Sequence, residues 1–225
     1  MPCARPPWFT LTLAVVLSVL YLIWLRVTII PSGTELSLDS YYHVAMADEC
    51  PQTCFARTFP RLTFSILQEQ FANYYLLYHM LLASIREYSA WLGLSMTPSF
   101  HVPAVFFTGA LLVTLLSVLA AWRVPWLLLW PALLWIIAPG WTFRALMVRP
   151  HIVAITLVLV ATWQCARLTT TRQLWGLFGL SMLFAYTYSM PHVIMLPALL
   201  TGLLLFSTQR PLAWLVPLAT LAGLV

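Results

Sequence analysis

Acidic residues and a histidine lie together directly after the first apolar segment, in the stretch SLDSYYHVAMADEC (residues 37–50). Glu35, Asp39 and His43 are spaced four residues apart, so a helix here would place them on one face. A carboxylate beside an imidazole can accept a proton, hold a divalent cation or orient a hydroxyl group. Asp39 and His43 are therefore the candidate catalytic residues, and Asp39 and Asp48 are the candidate metal ligands.

Two arginines follow in ARTFPRLTF (residues 56–64). Arg57 and Arg61 are placed to pair with the nearby acids or to bind a phosphate, because a guanidinium forms charge-assisted hydrogen bonds with either group. The alternative is that all of these are ordinary solvated loop charges. Residue spacing alone does not separate the two interpretations.

The composition excludes an ordinary soluble domain. The chain has 225 residues, of which 62% are hydrophobic and only 8% charged, whereas about a quarter of the residues of a soluble domain are charged. All 11 basic residues are arginines, and the six acids lie between Glu35 and Glu87. The arginines are scattered singly between apolar runs, as loop charges beside membrane helices are, which excludes a nucleic-acid partner.

The cysteines leave the redox state of the first loop open. Cys50 and Cys54 are close enough in sequence to pair, unlike Cys3 and Cys165. A disulfide between them would imply an oxidising compartment. The alternative is two unpaired thiols about one helical turn apart.

The apolar segments predict an all-α polytopic membrane protein with six to seven transmembrane helices and a long first external loop. Residues 8–30 form the first helix, and residues 31–101 form the loop, with an interfacial helix in YYLLYHMLLASIREY (74–88). Residues 102–225 form the remaining helices, at 102–122, 125–137, 151–166, 174–189, 193–206 and from 211 onward. We expect one transmembrane domain, 1–225, that is incomplete at its C-terminus or completed by a partner subunit.

Arginine counts do not decide the orientation, since similar numbers fall on either side of the membrane. With the N-terminus inside, all six acids and five arginines face the same external side. His79 lies among apolar residues in LLYHMLL (76–82), which favours a packed histidine bonded to a neighbouring helix over a catalyst.

LDSYYHVAMAD (38–48) resembles the first external loop of the GT-C membrane glycosyltransferases, above all the oligosaccharyltransferase catalytic subunits. FPRLTF (59–64) and FANYYLLYHMLL (71–82) are similar to that superfamily's loop proline and interfacial helix. RALMVRPHIVAI (144–155) looks like a second external loop entering a helix. The resemblance covers residues 8–200 and consists of short motifs.

This resemblance implies a GT-C-like bundle that transfers a sugar from a polyprenyl-phosphate or polyprenyl-diphosphate donor at the external membrane face. Asp39 matches the loop acid that acts as catalytic base or helps to hold Mg or Mn, and His43 supports it. Arg149 takes the place of a cation beside the donor phosphate, since a guanidinium offers bidentate donors and keeps its charge when desolvated. Arg57, Arg61 and His151 complete the substrate-binding set, and membrane lipid is the second partner.

One departure from the superfamily leaves alternatives open. The second external loop carries no acid, because no acid follows Glu87, so the metal site would lack ligands there. The alternative function is a transporter or non-catalytic membrane subunit that handles an anionic lipid or solute. The absence of lysine beside abundant Arg, Ala and Leu suggests a GC-rich genome, and we expect a multi-pass protein of a bacterial inner membrane.

Overall fold

A computed structural model describes residues 8–31, 35, 37–50, 54–56, 58, 73–93, 100–137, 139–205 and 210–225. These residues contain helices and no strands, which confirms the all-α prediction. The helices within them are α1 (Trp8–Ile29), α2 (Leu38–Asp48), α3 (Leu76–Trp91), α4 (His101–Ala121), α5 (Leu129–Ile137), α6 (Pro139–Ala145), α7 (Pro150–Ala166), α8 (Leu174–Ala185), α9 (Met195–Leu205) and α10 (Arg210–Ala222).

Two helices have the length and composition of membrane spans. Helices α1 and α4 have 22 and 21 residues and mean hydropathies of 2.2 and 2.3. About 20 apolar residues are needed to cross the hydrocarbon core of a bilayer. These helices support a membrane protein.

The other apolar helices are shorter than a full span, and the prediction of six to seven spans stays open. Three of them have 10–17 residues, at Pro150–Ala166, Pro191–Leu205 and Pro211–Ala222. The predicted segment 125–137 is helical only from Leu129, and its nine residues rise about 13 Å. The length of an apolar run can be read from the sequence, whereas the prolines and turns inside the run decide how much of it is helix.

The chain divides into two compact units. The first comprises Met1–Pro51 with His79–Val153, and the second comprises Gln52–Tyr78 with Ala154–Val225. The prediction of one transmembrane domain over residues 1–225 stays a prediction.

In the first unit, α1 packs along α4. Leu22 and Leu25 of α1 share a buried cluster with Leu112 of α4, and Ala14 shares a second one with Leu116. Between membrane helices such contacts stabilise the pair through van der Waals packing, because lipid chains are as apolar as leucine. This packing holds the C-terminal end of α1, which leads into the acidic loop, in a defined place.

In the second unit, α8, α9 and α10 pack around a core that includes Leu177, Phe184 and Val216. The backbones of α9 and α10 approach closely at Gly202, where an added Cβ would lie 2.6 Å from the carbonyl oxygen of Ala213. A glycine is therefore required at that crossing.

The predicted interfacial helix corresponds to α3, with bounds Leu76–Trp91. Tyr74 and Tyr88 are exposed, as expected of aromatic residues at headgroup depth. Tyr78, which lies within the predicted interfacial helix, is instead fully buried in the protein.

Candidate functional site

Helix α2 presents the candidate acid in its first turn. Ser37 is the N-cap residue, and its side-chain oxygen accepts a hydrogen bond from the backbone N–H of Asp39. Serine is favoured at this position because it satisfies a backbone donor that has no partner within the helix. A carboxylate in the first turn is also stabilised by the helix dipole. The sequence thus fixes the local position of Asp39 at the start of α2.

Arg149 meets Asp39 at this helix start, although the two residues are 110 positions apart. Its Nη2 forms an ion pair with Oδ2 of Asp39 and donates a second hydrogen bond to Oγ of Ser37 at 2.9 Å. The side chain of Asp39 is 63% exposed and that of Arg149 31%. Both charges therefore remain within reach of a ligand from solvent or from the membrane surface.

Polar atoms around Arg149 lack partners within the described residues. The Nε of Arg149 and the Nε2 of His151 are buried and make no hydrogen bond there, and neither does the hydroxyl of Ser40, which follows Asp39 on α2. The ring of His151 does form a hydrogen bond with the backbone of Arg144. Buried polar groups usually have partners, so the unsatisfied N–H of Arg149 is suited to an anionic ligand.

His43 lies away from solvent and pairs with another histidine. Its Nδ1 is 2.9 Å from Nε2 of His79 on α3, and both side chains are buried. Burial, with smaller contributions from the charges of Arg149 and His151, lowers the pKa of His43 to about 4. Burial, followed by the proximity of His43, lowers the pKa of His79 to about 3. At neutral pH both rings are uncharged, and one donates to the other.

The spacing argument placed Glu35, Asp39 and His43 on one helix face, whereas the structure gives each of them a different partner. Asp39 pairs with Arg149, and His43 pairs with His79. Glu35 lies before α2 and pairs with Arg26. The sequence favoured a packed role for His79, bonded to a neighbouring helix. His79 is indeed buried on α3 and bonded to His43 of α2.

Asp48 is engaged at the opposite end of α2. It forms an ion pair with Arg86 of α3. Asp39 lies in the first turn and Asp48 is the last residue of α2, so about 13 Å of helix rise separates them. One cation cannot bind both carboxylates directly, because oxygen ligands lie about 2.0–2.6 Å from Mg or Ca ions.

The donor set does not fit the expected divalent cation. Within the described residues, no group of three or more His, Cys, Asp and Glu side chains is arranged to hold a metal ion. The carboxylate of Asp39 is already neutralised by a guanidinium. We therefore assign no chemical step to a metal. Arg57 and Arg61 lie outside the described residues.

The first loop contains oxidised cysteines. Cys50 and Cys54 are disulfide-bonded, whereas Cys165 is a free, buried thiol. Of the two alternatives that the sequence left open, the structure has the disulfide. Such bonds persist in oxidising compartments.

Sequence reasoning missed the ion pair formed by Arg26 at the end of α1. Nη1 and Nη2 of Arg26 donate to the two carboxylate oxygens of Glu35 at 3.1 and 2.5 Å. Nε donates to Nδ1 of His101, and Nη1 also bonds the backbone oxygen of Leu146. The signal was present in the sequence: an arginine inside an apolar run needs an acid partner, and Glu35 is the nearest acid in the chain.

Comparison with known proteins identified no relative of the chain. No family model, curated protein or solved structure matches the chain. The resemblance to GT-C glycosyltransferases therefore stays a prediction that rests on the short motifs quoted above. The geometry around Asp39 and Arg149 supplies the physical basis for a functional proposal.

Proposed function

We propose that the protein is a multi-pass membrane glycosyltransferase that moves a sugar from a polyprenyl-phosphate or polyprenyl-diphosphate donor to an acceptor at the external face of a bacterial inner membrane. The observation that carries the proposal is the ion pair of Asp39 and Arg149 at the start of α2. It joins a candidate base to a phosphate-binding cation across a long stretch of chain.

The arginine provides the phosphate-binding half of the site. A guanidinium forms bidentate hydrogen bonds with a phosphate. Only Nη2 of Arg149 is engaged in the hydrogen bonds described above, and its buried Nε has no partner among the described residues. As the bond between the sugar and the phosphate breaks, its electron pair passes to the phosphate oxygen, and Arg149 would stabilise the growing negative charge.

The carboxylate provides the base. A donor phosphate competes with Asp39 for the same guanidinium, so donor binding would release the carboxylate from its ion pair. The freed carboxylate would then accept the proton of the attacking acceptor group. The two steps link base activation to the presence of the donor, which limits proton transfer in an empty site.

The surroundings agree with an external site. Cys50 follows α2 closely and is disulfide-bonded, as expected of a loop on an oxidising side. Helices α1 and α4 have the length to anchor the chain in a bilayer.

The test is transfer of radiolabelled sugar from a polyprenyl-phosphate donor, with the full chain in vesicles. We expect Arg149→Gln to lower transfer by about a hundredfold or more, as loss of one transition-state donor does. Asp39→Asn should lower it by a factor of about 10² to 10⁴ through loss of the base. Arg86→Gln is the matched control, because it breaks the other arginine–aspartate pair on α2 and should leave transfer unchanged.

A second candidate is a non-catalytic subunit or transporter that binds an anionic lipid or solute at Arg149. The unpartnered Nε of Arg149 favours such a binding protein as much as it favours an enzyme. The outcomes differ, because a binding protein would lose retention of a polyprenyl phosphate in Arg149→Gln but would show no transfer in the wild type. If Arg86→Gln and Arg149→Gln bind the lipid phosphate equally, both candidates are wrong.

A further inference from the structure

His151 lies beside the proposed phosphate position and takes no part in the steps described above. It is the second residue of α7, which begins at Pro150, and Arg149 directly precedes that helix. Arg149 bonds Ser37 and Asp39 at the start of α2. The starts of two helices therefore meet here, and each supplies backbone N–H groups that favour a neighbouring anion.

One nitrogen of the His151 ring has a fixed partner. The ring forms a hydrogen bond with the backbone of Arg144, and this contact favours a hydrogen on the ring, as a carbonyl acceptor does. Because Nε2 of His151 makes no hydrogen bond within the described residues, the bond to Arg144 is made by Nδ1. Nδ1 is therefore the donor nitrogen of this ring.

The other nitrogen is an acceptor. A protonated ring would add a third positive charge beside the guanidiniums of Arg149 and Arg144, so the ring is neutral and carries one N–H. That hydrogen is on Nδ1, which leaves a lone pair on the buried Nε2 of His151. A buried acceptor without a partner is costly, and a ligand group that donates a hydrogen bond would remove this cost.

Arg149 and His151 thus offer opposite hydrogen-bonding groups on either side of Pro150. The Nε of Arg149 donates, which suits a phosphate oxygen. The Nε2 of His151 accepts, and an ionised phosphate diester has no hydrogen to give it. The ligand therefore needs a hydrogen-bond donor close to its phosphate.

A sugar phosphate has such a donor at one position. The phosphate is joined to C1 of the sugar, whose ring neighbours are the ring oxygen and C2. The ring oxygen only accepts hydrogen bonds, whereas C2 carries a hydroxyl or, in an amino sugar, an amide N–H. The C2 substituent is the donor nearest to the phosphate.

We propose that His151 accepts a hydrogen bond from the C2 substituent of the donor sugar while Nε of Arg149 binds the adjoining phosphate. This inference rests on the proposed function, because it uses the same phosphate position. Both atoms are buried, and displacement of Asp39 by the phosphate would open them. His151 is then a specificity-determining residue: the sugar-loaded lipid has the C2 donor, and the spent lipid phosphate lacks it.

The experiment measures binding rather than transfer, with the full chain in phosphatidylcholine vesicles. Four lipids compete with radiolabelled farnesyl phosphate: farnesyl phosphate itself and its glucosyl, mannosyl and 2-deoxyglucosyl esters. Glucose and mannose differ only at C2, so the 2-deoxy ester is the common analogue that lacks the C2 donor. We expect the glucosyl or the mannosyl ester to bind about fivefold or more tightly than the 2-deoxy ester, as one satisfied acceptor allows.

Three variants assign this preference to the ring nitrogen. His151→Phe keeps a ring and removes the acceptor, so it should lower the affinity of the preferred ester to that of the 2-deoxy ester. His151→Gln retains an acceptor oxygen near the position of Nε2 and should keep part of the preference. His192→Phe is the matched control, because His192 is exposed, and it should leave the preference unchanged.

The outcomes separate this inference from the proposed function. If Arg149→Gln binds farnesyl phosphate as tightly as the wild type does, the phosphate position is wrong and both proposals fail. If that binding depends on Arg149 but the 2-deoxy ester binds as tightly as the other two esters, only the role of His151 is overturned. Equal loss of the preference in His151→Phe and His192→Phe would overturn it as well.

Discussion

Two arginine–carboxylate pairs in the first unit have the same chemistry and opposite surroundings. Arg26 and Glu35 are both completely buried, and the guanidinium also bonds His101 and the backbone of Leu146. Arg149 and Asp39 are partly exposed, and the buried Nε of Arg149 has no partner among the described residues.

The difference indicates which pair stabilises the fold and which is available for a ligand. A buried pair that uses most of its donors cannot bind anything further without losing contacts whose replacement is costly. An exposed pair contributes about 0–1 kcal/mol to stability, so exchanging one partner for a ligand costs little. Arg26 thus joins the end of α1 to the acidic loop, and Arg149 is the arginine on which the functional proposal rests.

The largest expected effect comes from breaking the buried pair. Arg26→Leu leaves the carboxylate of Glu35 buried without its partner, and we expect a loss of about 3–5 kcal/mol in the free energy of unfolding. The measurement is denaturant unfolding of the purified chain in mixed micelles.

Two controls sharpen this comparison. The double variant Arg26→Leu with Glu35→Leu removes both charges and should recover most of the stability, because no uncompensated charge remains. Arg149→Gln should change stability by about 1 kcal/mol or less. Equal losses for Arg26→Leu and Arg149→Gln would show that burial does not separate the two pairs.

The histidine pair gives the next effect, in the pH dependence of stability. An unfolded histidine has a pKa of about 6.5, whereas the folded pKa values are lowered to about 4 for His43 and about 3 for His79. Between these values the unfolded state binds more protons, so stability falls as the pH falls from 6.5 toward 4. The slope is about 1.4 kcal/mol per pH unit for each histidine that titrates fully in the unfolded chain.

Unfolding measured across this pH range tests the histidine pair. His79→Gln should lower the slope, since one buried imidazole is lost. His192→Gln is the control, because His192 is exposed and should leave the slope unchanged. A wild-type chain that is equally stable at pH 7 and pH 4.5 would contradict the prediction.

The smallest effect is expected at the N-cap of α2. Ser37 accepts hydrogen bonds from the backbone of Asp39 and from Nη2 of Arg149. Ser37→Ala should cost about 1 kcal/mol of stability, as loss of an N-cap does. Ser37→Asp retains a capping oxygen and should stay close to the wild type in stability. Thermal unfolding of the three proteins measures the difference, and an unaffected Ser37→Ala protein would show that the cap contributes nothing.

Most helix positions were predictable because they depend on local signals. The apolar run that ends at Pro31 predicted α1 nearly to its last residue, and Pro150 marks the first residue of α7. The helix through Asp39 was considered only as a condition for the spacing argument, within a segment assigned to the first loop, and the structure contains it as α2. Segments 125–137 and 193–206 were predicted too long, because apolarity continues through residues whose backbone is not α-helical.

The candidate site was only half predictable. Asp39 and Arg149 were each identified as functional candidates, but their pairing was not, because the partners are 110 positions apart and no local rule connects them. His43 was expected beside Asp39 by helical spacing and instead lies buried against His79. Spacing gives the face of a helix, whereas packing decides which face is covered.

The sequence by itself determined that this is an all-helical, membrane-embedded type of chain with its acids confined to one loop and its neighbour helix. Those properties follow from composition and from periodicities within about twenty residues. Only the tertiary structure decided which arginine meets which carboxylate, and how deeply each pair is buried. An ion pair depends on where distant segments meet, and that is set by the packing of whole helices.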